Sequence, residues 1–246
     1  STLFPYTTLF RSRMHLQKAF QRLSENCLNK LFRLVALHLG KRQLISISPG
    51  FNLETVEDLP AWKKHQRKLL IAVRENIPEK THWKWSQAIS GNLMQELSNP
   101  QKMIIGIYCP FRGEYDPRSI ARYLIQNGAT LALPEVIGKD TPLCFREWSI
   151  DTPMKNGAYG IPIPVGTKIV QPDAVIIPMV GFDQQGYRLG YGGGFFDRTL
   201  ASYQRQPLSL GVAFEIQRLE DAYPQAHDIA MHYVITEARI LQTKNY

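Results

Sequence analysis

"DAVIIPMVGFDQQGYRLGYGGGFFDRTL", residues 173–200, holds a complete strand–loop–helix unit in one line. Residues 173–180 are an apolar, β-branched run and read as a buried strand. Residues 195–204 read as a helix. Between them, 181–194 end in Gly190 and Gly192 to Gly194, with Arg188 just ahead of the glycines and Asp197-Arg198 just behind. A strand that hands the chain to a helix is followed by a strand running parallel to it, because the helix carries the chain back to the starting edge.

The same unit recurs on either side. "KMIIGIYC" (102–109) reads as a buried strand bounded by Pro110. Asp116-Pro117 is a cap and first-turn pair that opens a helix through "RSIARYLIQN", stopped at Gly128. "TLALP" (130–134), "LCFREW" (143–148), "LSLGVAF" (208–214) and "YVITE" (233–237) read as further strands. Upstream, Asp58 and Pro60 predict a helix over about 59–76. Trp85, Ile89, Leu93 and Leu97 fall on one face of a second, over 82–98. Strands alternating with helices predict an α/β domain over 55–246, with a largely parallel sheet covered on both faces. Ligands gather at the carboxyl ends of strands in such sheets, which singles out loops 110–116 and 181–194.

The chain has 246 residues, 44% of them apolar, enough for a substantial core. Its net charge of +8 is unevenly placed: residues 1–50 hold eight Lys/Arg and one acid, leaving the rest close to neutral. That argues against a nucleic-acid partner for the body of the protein. Cys27, Cys109 and Cys144 are widely spaced, against a disulfide framework or a zinc site and in keeping with a reducing, cytoplasmic compartment. No apolar run approaches the roughly 18 residues of a membrane span.

"TLFPYTTLFRS" (2–12) resembles the translation of a sequencing adapter, and residues 1–12 are set aside as an artefact. Residues 13–54 are a basic extension. Leu16, Phe20, Leu23, Cys27, Leu31 and Leu34 recur at helical steps with Lys18, Arg22, Lys30 and Arg33 between them. It reads either as non-native or as a surface-binding arm.

The chemistry-bearing groups are few. The glycine stretch is neither a Walker loop nor a dinucleotide fingerprint, since the third glycine of the latter would fall at Phe195. It still offers bare backbone N–H groups, followed by a helix N-terminus, to an anion. Arg188 could clamp a phosphate and Asp197 could hold Mg²⁺. A tight structural turn explains the glycines equally well. Glu114 sits at a strand's carboxyl end, where a solvated loop acid is the simpler reading. Lys63 and Arg67 share a helix face, as do Lys64 and Lys68, so spacing leaves the register open. His227, Asp228 and His232 cluster before the last strand, a weak metal signal. No nucleophile elbow, catalytic-cysteine or kinase signature is present.

"FDQQGYRLGYGGGFFDRTL" closely resembles the signature of the 5-formyltetrahydrofolate cyclo-ligase family. "IYCPFRGEYDPRSI", "YGIPIP", "DAVIIPMVGFD" and "HDIAMHYVITE" resemble further blocks of it, in order from about 61 to 240. The resemblance implies a Rossmann-like three-layer sandwich. It implies that ATP and Mg²⁺ are used to convert 5-formyltetrahydrofolate to 5,10-methenyltetrahydrofolate, with ADP and phosphate as products. It sets Lys63 and Arg67 on phosphate, with Lys63 and Arg188 as catalytic groups. Arg188, Leu189, Gly190, Tyr191, Gly192, Gly193, Gly194, Phe195 and Phe196 form the nucleotide loop. Asp197 and Asp228 become metal carboxylates, and Glu114, Tyr159 and Cys109 fall on the folate side.

Two positions depart from the family pattern. Phe195 and Phe196 stand where one or two tyrosines are usual, and His232 stands where a second aspartate is common. The expected protein is a monomer that takes ATP and a folate. The alternative is a catalytically weak member whose basic extension binds nucleic acid.

Overall fold

The computed structural model describes residues 58–243. The adapter-like stretch and the basic extension lie outside the described residues. Helix α1 (Leu59–Glu75) starts where its cap predicts: the Asp58 carboxylate accepts the Ala61 N–H at 2.9 Å, and Pro60 fills the first turn. Helix α2 (Glu79–Glu96) begins three residues before the predicted start, directly after Pro78. Its predicted stripe is its buried face: Ile89 and Leu93 are fully enclosed and Leu97 nearly so.

Strand β1 (Ile104–Gly106) is shorter than its apolar run, because Ile107 and Tyr108 continue into the core as loop. Asp116 caps as expected, accepting the Arg118 N–H at 3.0 Å, but a 3₁₀ turn (Pro117–Ile120) precedes helix α3 (Ala121–Gln126). Then come β2 (Thr130–Val136), β3 (Leu143–Trp148), β4 (Met154–Asn156), β5 (Pro162–Pro164), β6 (Ile169–Val170), β7 (Ala174–Pro178), β8 (Gly181–Phe182) and β9 (Arg188–Leu189). Helix α4 (Phe195–Ser202), β10 (Leu208–Val212), β11 (Tyr233–Ile235) and β12 (Ile240–Gln242) complete the described chain.

Eight strands form one sheet in the order β12-β11-β10-β7-β1-β2-β3-β6. The central five, β11 to β2, are parallel, and the edges formed by β12, β3 and β6 are antiparallel. β4–β5 and β8–β9 are separate two-stranded pieces. Alternate residues feed two cores. Ile105, Leu131, Ile176 and Leu210 pack with Ile89, Leu93 and Leu124 from α2 and α3. Ala132, Val175, Ile177 and Val234 pack with Leu200 of α4 on the opposite face. Each of these Ile, Leu and Val side chains contributes on the order of 1.5–3 kcal/mol of burial. The result is the expected three-layer α/β architecture.

Strand order places the site. From β1 the chain moves outward to β2 and β3, then returns to the other side of β1 as β7 and continues to β10 and β11. The direction of winding therefore reverses between β1 and β7. A crevice opens at such a point, outside the carboxyl ends of the strands. The loops after Gly106 and after Pro178 form its two walls. Helix α1 joins them through a third small core, where Leu70 and Ile71 pack on Val180 and Leu189. Gly181 permits that approach, since a Cβ there would lie 2.8 Å from a Leu70 methyl.

Candidate active site

A cavity of about 790 Å³ occupies this crevice. Every residue that the family resemblance assigns to the site lines it: Lys63 and Arg67 from α1, Cys109 and Glu114 after β1, Tyr159 between β4 and β5, the stretch from Arg188 to Asp197, and Asp228. Lys64 and Lys68 are exposed and do not line it, so the structure selects the Lys63/Arg67 register.

Short-range turn chemistry builds the glycine loop. Asp183 accepts the N–H groups of Gln185 and Tyr187, both at 3.0 Å, and Gly186 takes a left-handed φ of 85°. That turn folds β8 onto β9, a hairpin within a stretch expected to be loop. Gly192 (φ 98°) and Gly194 (φ 63°) then occupy backbone conformations that side chains resist. Arg67 closes over the loop: its Nε–H donates to the Gly190 carbonyl at 2.8 Å, and its guanidinium carbon would lie 3.3 Å from a Cβ on Gly192.

The charges bracketing the glycines meet. Arg188 Nη2 lies 2.7 Å from Asp197 Oδ1, and its Nη1 donates to the Ile229 carbonyl at 2.9 Å. Burial pulls the Arg188 guanidinium below its ordinary value, opposed chiefly by Asp197. Asp228 accepts the Gln225 N–H at 2.7 Å and faces Lys63 Nζ at 3.5 Å. Two cation–carboxylate pairs, Lys63–Asp228 and Arg188–Asp197, thus line the cavity beside Arg67, and an incoming polyphosphate could exchange their partners.

Residues 59–237 match the sequence profile of the 5-formyltetrahydrofolate cyclo-ligase family. The chain belongs to this enzyme family. A 5-formyltetrahydrofolate cyclo-ligase of Haemophilus influenzae is 29% identical over 171 residues, 66% of this chain and 91% of that one. One from Escherichia coli strain K12 is 30% identical over 55% of this chain and 79% of its own. Among solved structures, 5,10-methenyltetrahydrofolate synthetase of Aquifex aeolicus superposes with a TM-score of 0.65 at 29% identity, covering 75% of this chain and 94% of that one. The Mycoplasma pneumoniae synthetase gives 0.60 at 25%, covering 71% and 98%. The family match starts at α1 and ends beyond β11, so it spans every wall of the cavity.

Within this family site, the structure changes the reading of several residues. Glu114 is no solvated loop acid: it is 6% exposed, its Oε1 accepts the Tyr191 hydroxyl at 2.7 Å, and its Oε2 accepts the Phe111 N–H at 2.9 Å. Burial pushes its carboxyl above the usual range, opposed by Arg74 and those two hydrogen bonds. Arg74 was not foreseen, although its place seven residues after Arg67 puts it on the same face of α1. Cys109 lies half-buried with its thiol pushed up by desolvation, a wall residue rather than a nucleophile. Tyr159 sits at a left-handed φ of 57° with its ring 6.3 Å from Phe195.

His227, Asp228 and His232 do not converge. His227 is exposed at the cavity, whereas His232 is buried, hydrogen-bonded to Ser209 and absent from the cavity wall. The His232 departure therefore falls in the core. Among the described residues, no group of three or more His, Cys, Asp or Glu could hold a metal. Asp197 and Asp228 are carboxylates at the cavity of the type that could hold a magnesium ion. No described helix is long and apolar enough to cross a membrane.

Proposed function

We propose that residues 55–246 form one catalytic domain that closes 5-formyltetrahydrofolate to 5,10-methenyltetrahydrofolate, using ATP and releasing ADP and phosphate in the cytoplasm. One observation carries the reading. The Arg188–Asp197 pair brackets a glycine run facing Lys63 and Arg67 in the same cavity that Glu114 and Tyr159 border. One side is built for phosphate and the other for a polar aromatic ring system.

The chemistry needs no side-chain nucleophile. The formyl oxygen attacks the terminal phosphorus and ADP leaves, which converts a poor leaving group into a phosphate ester. N10 then attacks the activated carbon. The C–O bond breaks, phosphate departs with the formyl oxygen, and N10 gives up its proton. Phosphoryl transfer asks the protein for alignment and charge neutralisation. Lys63, Arg67 and Arg188 supply positive charge, and the glycine backbone lets phosphate approach closely. Asp197 and Asp228 would hold Mg²⁺, which when bound neutralises phosphate charge. Glu114 accepts hydrogen bonds from the donor-rich ring, and Tyr159 with Phe195 offers it an aromatic face; Phe195 stacks without the hydroxyl of a tyrosine.

The test is an assay with 5-formyltetrahydrofolate, Mg²⁺ and ATP, following the ultraviolet absorbance of the methenyl product and the release of ADP. Heavy oxygen in the formyl group is expected to leave in inorganic phosphate. Absence of both methenyl product and ADP defeats the reading, and unlabelled phosphate defeats the phosphorylated step.

A further inference from the structure

Arg74 is the largest side chain that the described residues fully enclose, 2% exposed, and it does not line the cavity. Its Nε–H donates to the Arg112 carbonyl at 3.0 Å and its Nη1–H to the Met179 carbonyl at 3.3 Å. Its Nη2 donates to the Phe111 carbonyl at 3.4 Å and to the Tyr191 hydroxyl at 2.6 Å. That hydroxyl in turn donates a hydrogen bond to Glu114 Oε1, which lies 3.7 Å from Arg74 Nη2. One guanidinium therefore holds the loop after β1, the residue after β7 and the glycine loop. The neighbouring residue adds a second tie, because Glu75 takes Arg112 in a two-pronged pair at 2.7 and 3.0 Å.

A buried charge is a poor way to gain stability, since a well-packed apolar side chain of similar volume often does as well. What packing cannot supply is a rigid fork whose five donors reach oxygens on three separate segments. Those segments are the two walls of the crevice. Phe111 and Glu114 belong to one, and Tyr191 with the glycines to the other. The Tyr191 hydroxyl has one proton to give and gives it to Glu114, so Arg74 must be the donor on its other side.

We propose that Arg74 is a positioning residue of the reaction. Through Tyr191, Glu114 and the three carbonyls, it sets the distance between the two walls and so the alignment of the two bound substrates. Both substrates touch the walls and neither touches Arg74. This rests on the cyclo-ligase reading of the site.

The variants are Arg74→Lys, which keeps a cation beside Glu114 but cannot reach all four acceptors, and Tyr191→Phe, which removes the bridging hydroxyl. In Arg74→Lys, kcat is expected to fall about a hundredfold, the cost of a misplacement on the order of 1 Å. KM for each substrate stays within about threefold, because Lys63, Arg67 and Arg188 are untouched. In the ligand-free protein, amides of 111–114 and 188–194 exchange hydrogen faster while those of β10 do not. Tyr191→Phe is expected to lose about tenfold in kcat, and it decides the matter where Arg74→Lys does not fold. Retention of wild-type kcat in Arg74→Lys, or in Tyr191→Phe where Arg74→Lys cannot be obtained, overturns the proposal whatever the melting temperature does. Absence of product from the wild-type protein instead overturns the functional reading, so the two failures are told apart.

Discussion

Arg188 Nη2 stands 2.7 Å from Asp197 Oδ1, so the two charges on either side of the glycine run close on each other rather than facing away. The loop between them is a ring sealed by an ion pair, and Arg67 is bonded to its Gly190 carbonyl. If phosphate enters this ring, Arg188 is the group that changes partners.

Arg188→Ala is therefore expected to lower kcat/KM for ATP by at least about a hundredfold, the usual loss when a charge-stabilising donor is removed from a transferring group. KM for the folate should move much less. Arg188→Lys should not restore the loss, because one ammonium cannot hold both the Ile229 carbonyl and Asp197 as the guanidinium does. Steady-state kinetics with each substrate varied in turn provide the check. An unchanged KM and kcat for ATP in Arg188→Ala would remove the nucleotide from this loop.

Neighbouring lysines on α1 give a paired control. Lys63 lines the cavity opposite Asp228, and Lys64 points away and is exposed. Lys63→Ala should raise KM for ATP about tenfold, as expected for one lost charge-assisted contact. Lys64→Ala should leave both kinetic constants unchanged. Equal effects from the two substitutions would mean that the helix face is assigned wrongly.

Local rules carried much of this in the sequence, and long-range ones did not. The Asp58 and Asp116 caps and the Ile89–Leu93–Leu97 stripe are read correctly because each is set by residues three or four apart. The parallel centre follows from strand–helix alternation. The pieces that were missed are held by distant partners: two- and three-residue strands such as β6, β9 and β12 exist only because β3, β8 and β11 lie beside them. The turn joining β8 to β9 did leave a signal, Asp183 followed by Gly186, which the glycine-rich stretch after it overshadowed. Arg74 was legible by helical spacing, but nothing in the sequence says that an arginine at that place is buried. Lys63, Arg67, Glu114 and Asp228 come together only through the crossover between β1 and β7.

Glu114 gives a pH dependence with a definite sign. Its carboxyl titrates above its ordinary value of 4.5 because it is buried, with Arg74 holding it partly back. Protonation removes acceptor capacity, so kcat/KM for the folate should fall on the acid side with an apparent pKa above 4.5. Glu114→Gln should lower the plateau and flatten that limb. Stability runs the other way: a raised folded-state pKa means that Glu114 contributes stability present below its unfolded value and lost as pH rises through its folded one. An acid limb that persists in Glu114→Gln would assign the titration to another group.

Two glycines of the loop separate a backbone requirement from a ligand requirement. A Cβ on Gly190 would meet nothing within 4 Å, and its φ is not left-handed. A Cβ on Gly192 would lie 3.3 Å from the Arg67 guanidinium at a φ of 98°. Gly192→Ala should therefore strain the free protein, by on the order of 1–3 kcal/mol, and displace Arg67. Gly190→Ala should leave the melting temperature where it is, because the protein itself has room. If phosphate lies against the Gly190 backbone, Gly190→Ala should nonetheless raise KM for ATP. Thermal melts and ATP kinetics on both variants test this. Wild-type stability together with wild-type KM in Gly190→Ala would place the phosphates elsewhere on the loop.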